Sequence, residues 1–515
     1  MGFEVSGHTG LRATPVATAD AAPRVSARWY GLLAIVGIGS SLAVTVATSL
    51  VRESWADPPI AMPRIGPPFE LASWHLTLAS ATIALWLSAV AGGLGLAAAL
   101  MAVRRGARPS IRILLVVAAV VVALLTVLPP VGSTDSLDYM AFGRMIVLGH
   151  SPYVMVPWDL RHMHDAVWKS IPWEWGRDPT SYGPAATVEQ YLAARLGGTS
   201  VARIVFGLKV GNAIAFGAVA AVADRLMRAD PAARLRAHLL WTVNPLLIWQ
   251  LIAAAHLDVL AAAAGMIGLV LASRSMQLGR VLASGVLVGL AADIKITFVL
   301  FGLGLAWALR RSPAACAVAA GGILSVLLPS YAWFGPPAIT DVTRRGNTVT
   351  ADNFYQLFGT RHGFLMQHVG VIATVLGVGV AIVVLSRLPV RAAAHPAIFA
   401  ALGLSTAWLF TFQYQLPSYE AMIICLLILV PACWLDWLVV ARLTAGTIAL
   451  MPGSTTPPPT RLLAQISVDN LTLAVPTVLL AAAVALVVLC LSNRSAIRSR
   501  GRTAPRQAQP LAASG

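Results

Sequence analysis

STDSLDYMAFGRMIVLGHSPYVMVPWDL, residues 133–160, and TSYGP, residues 180–184, interrupt a chain whose remaining sequence is mostly compatible with hydrocarbon. The apolar runs on either side read as membrane helices, because a bilayer core takes about 20 such residues per span. A polar stretch of about 70 residues between two spans is too long for a plain connector. Segment 131–200 is therefore expected to be a functional loop outside the membrane. It is rich in carboxylates, aromatics and turn residues, and Asp135, Asp138 and Tyr139 stand at its start.

Composition supports the membrane reading. Of 515 residues, 57% are hydrophobic and 11% charged, whereas a soluble domain carries about a quarter charged residues. The formal net charge of +16 is concentrated in connectors and tails, among them Arg104/Arg105/Arg108/Arg112, Arg225/Arg228/Arg234/Arg236, Arg310/Arg311 and Arg387/Arg391. Such clusters report topology before they report an acidic partner, so nucleic acid is not expected. Cys316, Cys425, Cys433 and Cys490 lie in apolar runs without metal-ligand spacing and are expected to be buried thiols.

Apolar runs at 30–50, 78–103, 112–130, 201–223, 238–254, 258–273, 280–293, 296–309, 313–333, 366–386, 396–412, 418–440 and 471–491 give an all-α polytopic membrane protein of about thirteen spans. The first run has span length and no small-residue cleavage site, so it is expected to remain attached. Residues 1–28 and 492–515 read as disordered tails around a transmembrane catalytic domain at 29–491. With a cytoplasmic amino terminus, the Arg-rich connectors fall on one side. Loops 131–200 and 335–365, segment 412–417 and the His256–Asp258 turn then share the outer side. The carboxyl-terminal Arg cluster breaks this scheme, which points to a missed or spurious span between Tyr419 and Pro476.

Asp135 follows the third span directly. Leu137, Met140, Ala141, Met145 and Leu148 recur at helical spacing, as in an amphipathic helix lying on the bundle. Ser133 or Thr134 can cap that helix. Asp135 in its first turn can act as a general base or simply complement the helix dipole. GHSPY (149–153) and TSYGP are aromatic-bearing turns, and Trp158, Trp168, Trp173 and Trp175 crowd between them. Such rings suit sugar faces or an interfacial aromatic belt. His256 and Asp258 interrupt an apolar run, where ionisable groups mark either function or a turn between helices. Lys295 can pair with Asp293, meet an anionic head group or snorkel to the interface. Arg344 and Arg345, on the expected outer side, can clamp a phosphate.

Together, DSLDYMAFGRMIVLGHSPY, TSYGP, NPLLIWQLIAAAHLDVLAAAAGMIGLVLA and GVLVGLAADIKITFVLFGLGLA resemble the polyprenyl-phosphate-mannose-dependent α-mannosyltransferases of actinobacteria. These are GT-C superfamily enzymes that elongate the α-1,6-mannan of lipoglycans. Asp135, Tyr139 and Gly143 match the family's D-x-x-x-Y-x-x-x-G pattern, which implies that Asp135 is the catalytic base. Asp138 has no matching acidic position and is read as support. Tyr153 of G-x-x-P-Y, Tyr182 of Y-G-P, His256 and Asp258 of H-x-D, and Lys295 of G-L-A-x-x-I-K also match. Where the family has a tryptophan-tyrosine element such as PWY, this chain has FQYQLPSYE, which leaves linkage and acceptor open.

The resemblance implies a GT-C-type bundle in the plasma membrane with its site facing outward. It implies transfer of mannose from polyprenyl-phosphate-mannose to a mannan or lipomannan acceptor, with inversion and without metal or other cofactor. Tyr139, Tyr153, Tyr182, Asp138, His256 and Asp258 would serve the sugars, and Lys295, Arg344 and Arg345 the donor phosphate. The rival expectations are another polyprenyl-phosphate sugar, such as arabinofuranose, and a transporter or flippase. The paired broken helices of transporter repeats are not evident.

Overall fold

The computed structural model describes residues 27–50, 67, 77–172, 175–340, 348–359, 363–392, 395–451 and 460–493. Among them the regular structure is helical, without strands. The amino-terminal half comprises α1 (Ala27–Leu50), α2 (Leu78–Arg104), α3 (Ile111–Val127), α4 (Asp135–Val147), α5 (Pro184–Gly197), α6 (Val201–Leu226), α7 (Pro231–Leu240), α8 (Pro245–Ile248) and α9 (Asp258–Arg274). Then follow α10 (Leu278–Ile294), α11 (Val299–Leu309), α12 (Pro313–Phe334), α13 (Val369–Arg387), α14 (Pro396–Thr411), α15 (Glu420–Leu427) and α16 (Leu435–Leu450). Helix α17 (Arg461–Asp469) continues through a π-turn into α18 (Val475–Ser492).

Six described helices are long and apolar enough to cross a bilayer, or seven if a bent pair at 245–274 counts as one span. They are α1, α2, α6, α12, α13 and the continuous helix Arg461–Ser492. Four shorter apolar helices, Ile111–Val127, Ile296–Leu309, Pro396–Thr411 and Pro417–Leu427, pack among them. Small residues bring helices close where hydrophobic contrast with lipid is absent. A Cβ on Gly95 would lie 2.6 Å from the Ile38 nitrogen, so α1 and α2 need glycine at that crossing.

Two expected spans are broken. The run 238–254 divides because Pro245 cannot donate to a preceding turn, and Asn244 instead caps a new helix through Leu246 N and Leu247 N. The run 418–440 divides at Pro431 into α15 and α16. Buried Arg236 satisfies the freed carbonyls there, donating to Leu427 O at 3.2 Å and Val430 O at 2.9 Å while pairing with Asp436. The segment expected at 471–491 extends to Arg461.

The expected surface helix at 136–148 is instead buried all round, from Ser136 to Met145. Helix α5 covers the face that would have met solvent, approaching so closely that a Cβ on Gly143 would sit 2.1 Å from Gln190 O. Of the four cysteines expected to be buried, Cys425 and Cys490 are, whereas Cys316 and Cys433 are partly exposed.

Candidate active site

The site begins where α3 ends. Gly132 has φ +90° and packs so tightly on Trp249 that a Cβ would lie 2.4 Å from the indole. The chain then turns into α4, with Ser133 Oγ accepting from Asp135 N at 3.1 Å. One helical turn on, the Tyr139 hydroxyl donates to Asp135 Oδ2 at 3.3 Å, the i,i+4 spacing placing both groups on one face. Tyr139 and Tyr182 hydroxyls lie 3.1 Å apart and their rings meet edge to face, with centroids 5.2 Å apart. Burial is the main cause that raises both phenol pKa values, and the Asp135 carboxylate adds to it. Both hydroxyls therefore stay protonated near neutral pH and serve as hydrogen-bond groups rather than bases.

Tyr182 is held by two turns locked to each other. Thr180 N donates to Pro152 O at 2.9 Å, and the Tyr153 hydroxyl donates to Tyr182 O at 2.9 Å. Gly183 N donates to Ile294 O at 3.2 Å, and a Cβ at Gly183 would fall 1.8 Å from Asp293 O. Pro184 then starts α5 with no donor to lose. At the far end of α4, Arg144 pairs with Asp165 and donates to Gly198 O at 3.1 Å, fastening the helix to the remainder of the loop.

His256 arrives from a break in the helix path. After the π-turn Trp249–Ala253 the axis bends by 111°, and Ala255 takes φ 61°, a region costly for a residue with a Cβ. The turn persists because α6 satisfies its exposed carbonyls: Asn212 Nδ2 donates to Leu251 O at 3.0 Å and His256 O at 3.1 Å. One turn earlier, Lys209 Nζ donates to Leu128 O at 2.7 Å and Pro129 O at 3.3 Å, securing the end of α3. Val131 N closes the join by donating to Ala253 O at 3.0 Å. Nδ1 of His256 is 2.7 Å from Gln250 O, and Nε2 is 3.5 Å from Asp135 Oδ2.

Behind this layer Lys295 Nζ pairs with Asp258 Oδ1 at 2.6 Å and lies 3.5 Å from the centroid of the Tyr419 ring. Further back, Arg442 donates to Glu420 at 2.8 Å and Gln415 at 2.7 Å. These pairs brace the segment FQYQLPSYE from beneath.

A cavity of about 100 Å³ opens between these elements. Of the residues anticipated from sequence, Asp135, Asp138, Tyr139, Tyr182 and His256 line it. Tyr153, Asp258 and Lys295 stand one layer back, and Arg344 and Arg345 lie outside the described residues. Trp175, one of the tryptophans that crowd the loop, lines the cavity too, and so do Tyr414 and Leu416, which were not singled out as site residues from sequence. For Tyr414 and Leu416 the available signal was that 412–417 is expected on the same side as the large loop. Among the described residues no group of three or more His, Cys, Asp or Glu is arranged to hold a metal ion.

The sequence profile described as alpha-(1->6)-mannopyranosyltransferase, N-terminal domain, matches residues 34–311, more than half of the 515 residues. The chain belongs to this family. The mannopyranosyltransferase match takes in Asp135, both aromatic turns, the His256 break and Lys295. A probable alpha-(1->6)-mannopyranosyltransferase of Mycolicibacterium smegmatis (strain ATCC 700084 / mc(2)155) is 30% identical over 155 residues, which is 30% of this chain and 27% of the relative. The chain thus aligns with about a quarter of the length of this curated relative. Helices α12 to α18, which bring Tyr414 and Leu416 to the cavity, lie beyond the mannopyranosyltransferase profile.

Proposed function

We propose that the protein is an inverting GT-C mannosyltransferase that moves mannose from polyprenyl-phosphate-mannose to a mannoside acceptor of a cell-envelope lipoglycan, forming an α-1,6 linkage. Asp135 is the general base. The observation that carries this reading is a carboxylate lining a cavity with Tyr139, Trp175, Tyr182 and Tyr414, oriented by Tyr139 and facing His256. In the reaction Asp135 takes the acceptor hydroxyl proton, the acceptor oxygen bonds to the anomeric carbon from the side opposite the phosphate, and the phosphate leaves with the bonding electron pair. Holding two sugars in line supplies much of the rate, and cations at the leaving phosphate supply more. Arg344 and Arg345 are proposed for that second role, and Tyr182, Asp138 and Tyr414 for the sugars.

The site is proposed to face outward from the plasma membrane. Contacts support a bundle with two distinct ends. Arg104 donates to Cys433 O, Arg236 reaches Asp436, and Asn493 donates to Arg387 O, so these connectors gather at one end. Asp135, His256, Tyr182 and Tyr414 share the cavity at the other. Dividing 418–440 into two legs raises the proposed count from about thirteen spans to about fourteen and returns the carboxyl-terminal arginines to the cytoplasmic side.

The test is transfer by purified protein in nanodiscs, with mannosyl-phosphoryl-polyprenol and a short α-1,6-mannoside, comparing wild type with Asp135→Asn. Wild type is expected to form an α-1,6 product, and the variant to lose at least about 100-fold in turnover with donor binding retained. Product from an arabinofuranosyl donor alone, or an active Asp135→Asn, overturns the proposal.

A further inference from the structure

We propose that His256 is the proton partner of Asp135: the two share the proton taken from the acceptor, and His256 carries it as an imidazolium after glycosyl transfer. This rests on Asp135 being the base. Gln250 O can only accept, so Nδ1 of His256 carries a hydrogen, and neutral His256 presents the Nε2 lone pair to Asp135 Oδ2 at 3.5 Å. Between a lone pair and a carboxylate there is no hydrogen bond until a proton arrives. Once Asp135 takes the hydroxyl proton, its O–H can donate to Nε2, and the proton can pass across that contact as it tightens in the reacting complex. The imidazolium then keeps one hydrogen on Gln250 O and directs the other at the restored carboxylate. The acceptor oxygen has meanwhile spent its freed electron pair on the anomeric carbon, and the phosphate has left with the pair from the broken bond.

The backbone supports a dedicated role. A left-handed Ala255, a π-turn and two hydrogen bonds from Asn212 are all spent at this one bend, and its outcome is to point His256 at Asp135. A helix-to-helix turn alone needs none of this strain. The titratable and charged groups around the pair are the phenols of Tyr139, Tyr182, Tyr414 and Tyr419, the carboxylate of Asp138, and the Asp258–Lys295 ion pair. Burial keeps the phenols of Tyr139 and Tyr182 neutral at working pH, and Asp258 and Lys295 are paired with each other.

The experiment compares kcat and KM as a function of pH for wild type, His256→Gln and His256→Asn, with mannosyl-phosphoryl-polyprenol as donor and a short α-1,6-mannoside as acceptor. Wild-type turnover is expected to fall on the acid side, because an imidazole that already carries both protons cannot take the one from Asp135. In the variants kcat falls about 100-fold at neutral pH, KM changes little, and the acid limb moves down by more than about one pH unit. Monodisperse elution and a wild-type-like melt show that the variants are folded; if His256→Gln is not, His256→Asn carries the comparison. An acid limb left in place in a folded variant overturns the proton partnership while leaving Asp135 as base. Loss of activity through raised KM alone also overturns it, assigning His256 to sugar binding. Absence of transfer by wild type, or full activity of Asp135→Asn, fails at the earlier step and overturns both.

Discussion

Removing the charge of Lys295 tests whether that residue serves the protein or the donor. Lys295→Met keeps most of the stem and leaves Asp258, with a side chain 3% exposed, without its cation. At the observed 2.6 Å separation and an effective dielectric near 20, the lost attraction is about 6 kcal/mol. The Tyr419 ring 3.5 Å from Nζ adds about 2 kcal/mol. Against these stands the desolvation of the ammonium, which the variant no longer bears, so the expected net loss is about 3–5 kcal/mol. Asp258→Leu combined with Lys295→Met removes both charges and is expected to fall within about 1 kcal/mol of wild type. The assay is a double-mutant cycle by equilibrium unfolding in mixed micelles, run beside donor KM. A coupling energy below about 1 kcal/mol refutes the reasoning. If Lys295→Met also keeps its stability and raises donor KM, Lys295 belongs to the leaving phosphate.

Three further perturbations follow from the packing. Gly183→Ala drives a Cβ into Asp293 O and is expected to cost about 1–3 kcal/mol, read as a lowered melting temperature; an unchanged melt would mean that the turn yields freely. Glu189 in α5 has no hydrogen-bond partner for Oε2, and burial raises its carboxyl pKa to about 8. The folded state thus holds a proton that the unfolded chain releases above 4.5, so stability falls as pH rises between those values. Glu189→Gln is expected to flatten that decline and to melt higher than wild type at pH 8, and equal slopes in the two proteins would count against it. Asn212→Leu strips two carbonyls of their donor and is expected to cost about 1–3 kcal/mol and to lower kcat. Retained stability would show that the bend holds itself.

The parts of the fold that follow from one-dimensional patterning were legible in the sequence. Runs such as 78–103, 201–223 and 313–333 read as helices because membrane helices must satisfy their own backbone, leaving hydropathy as the main variable. The breaks at Pro245 and Pro431 were harder to see, because their freed backbone groups are repaired by Asn244, which donates to Leu240 O and accepts from Leu246 N, and by Arg236, which stands 195 positions before Pro431. Arg236 was read as a topology signal and proves to be a buried staple. Hydrophobic spacing made α4 look like a surface helix, since nothing local announces that α5 will cover it. The cavity was legible on its amino-terminal side, where carboxylate and aromatics fall within short motifs. Tyr414 and Leu416 come from a segment lacking the expected motif, and their place depends on the packing of later helices.

The clamps on α6 impose an order on biogenesis. Lys209 is a poor membrane residue until it meets the carbonyls of Leu128 and Pro129, and both are synthesised before it. Asn212 emerges just after Lys209 and must wait for Leu251 and His256. A chain inserted from its amino terminus can therefore settle α6 against α3 while one amide remains unanswered, and that amide becomes the template on which the later bend closes. The cavity is thereby completed by capture of an incoming segment on a surface already assembled.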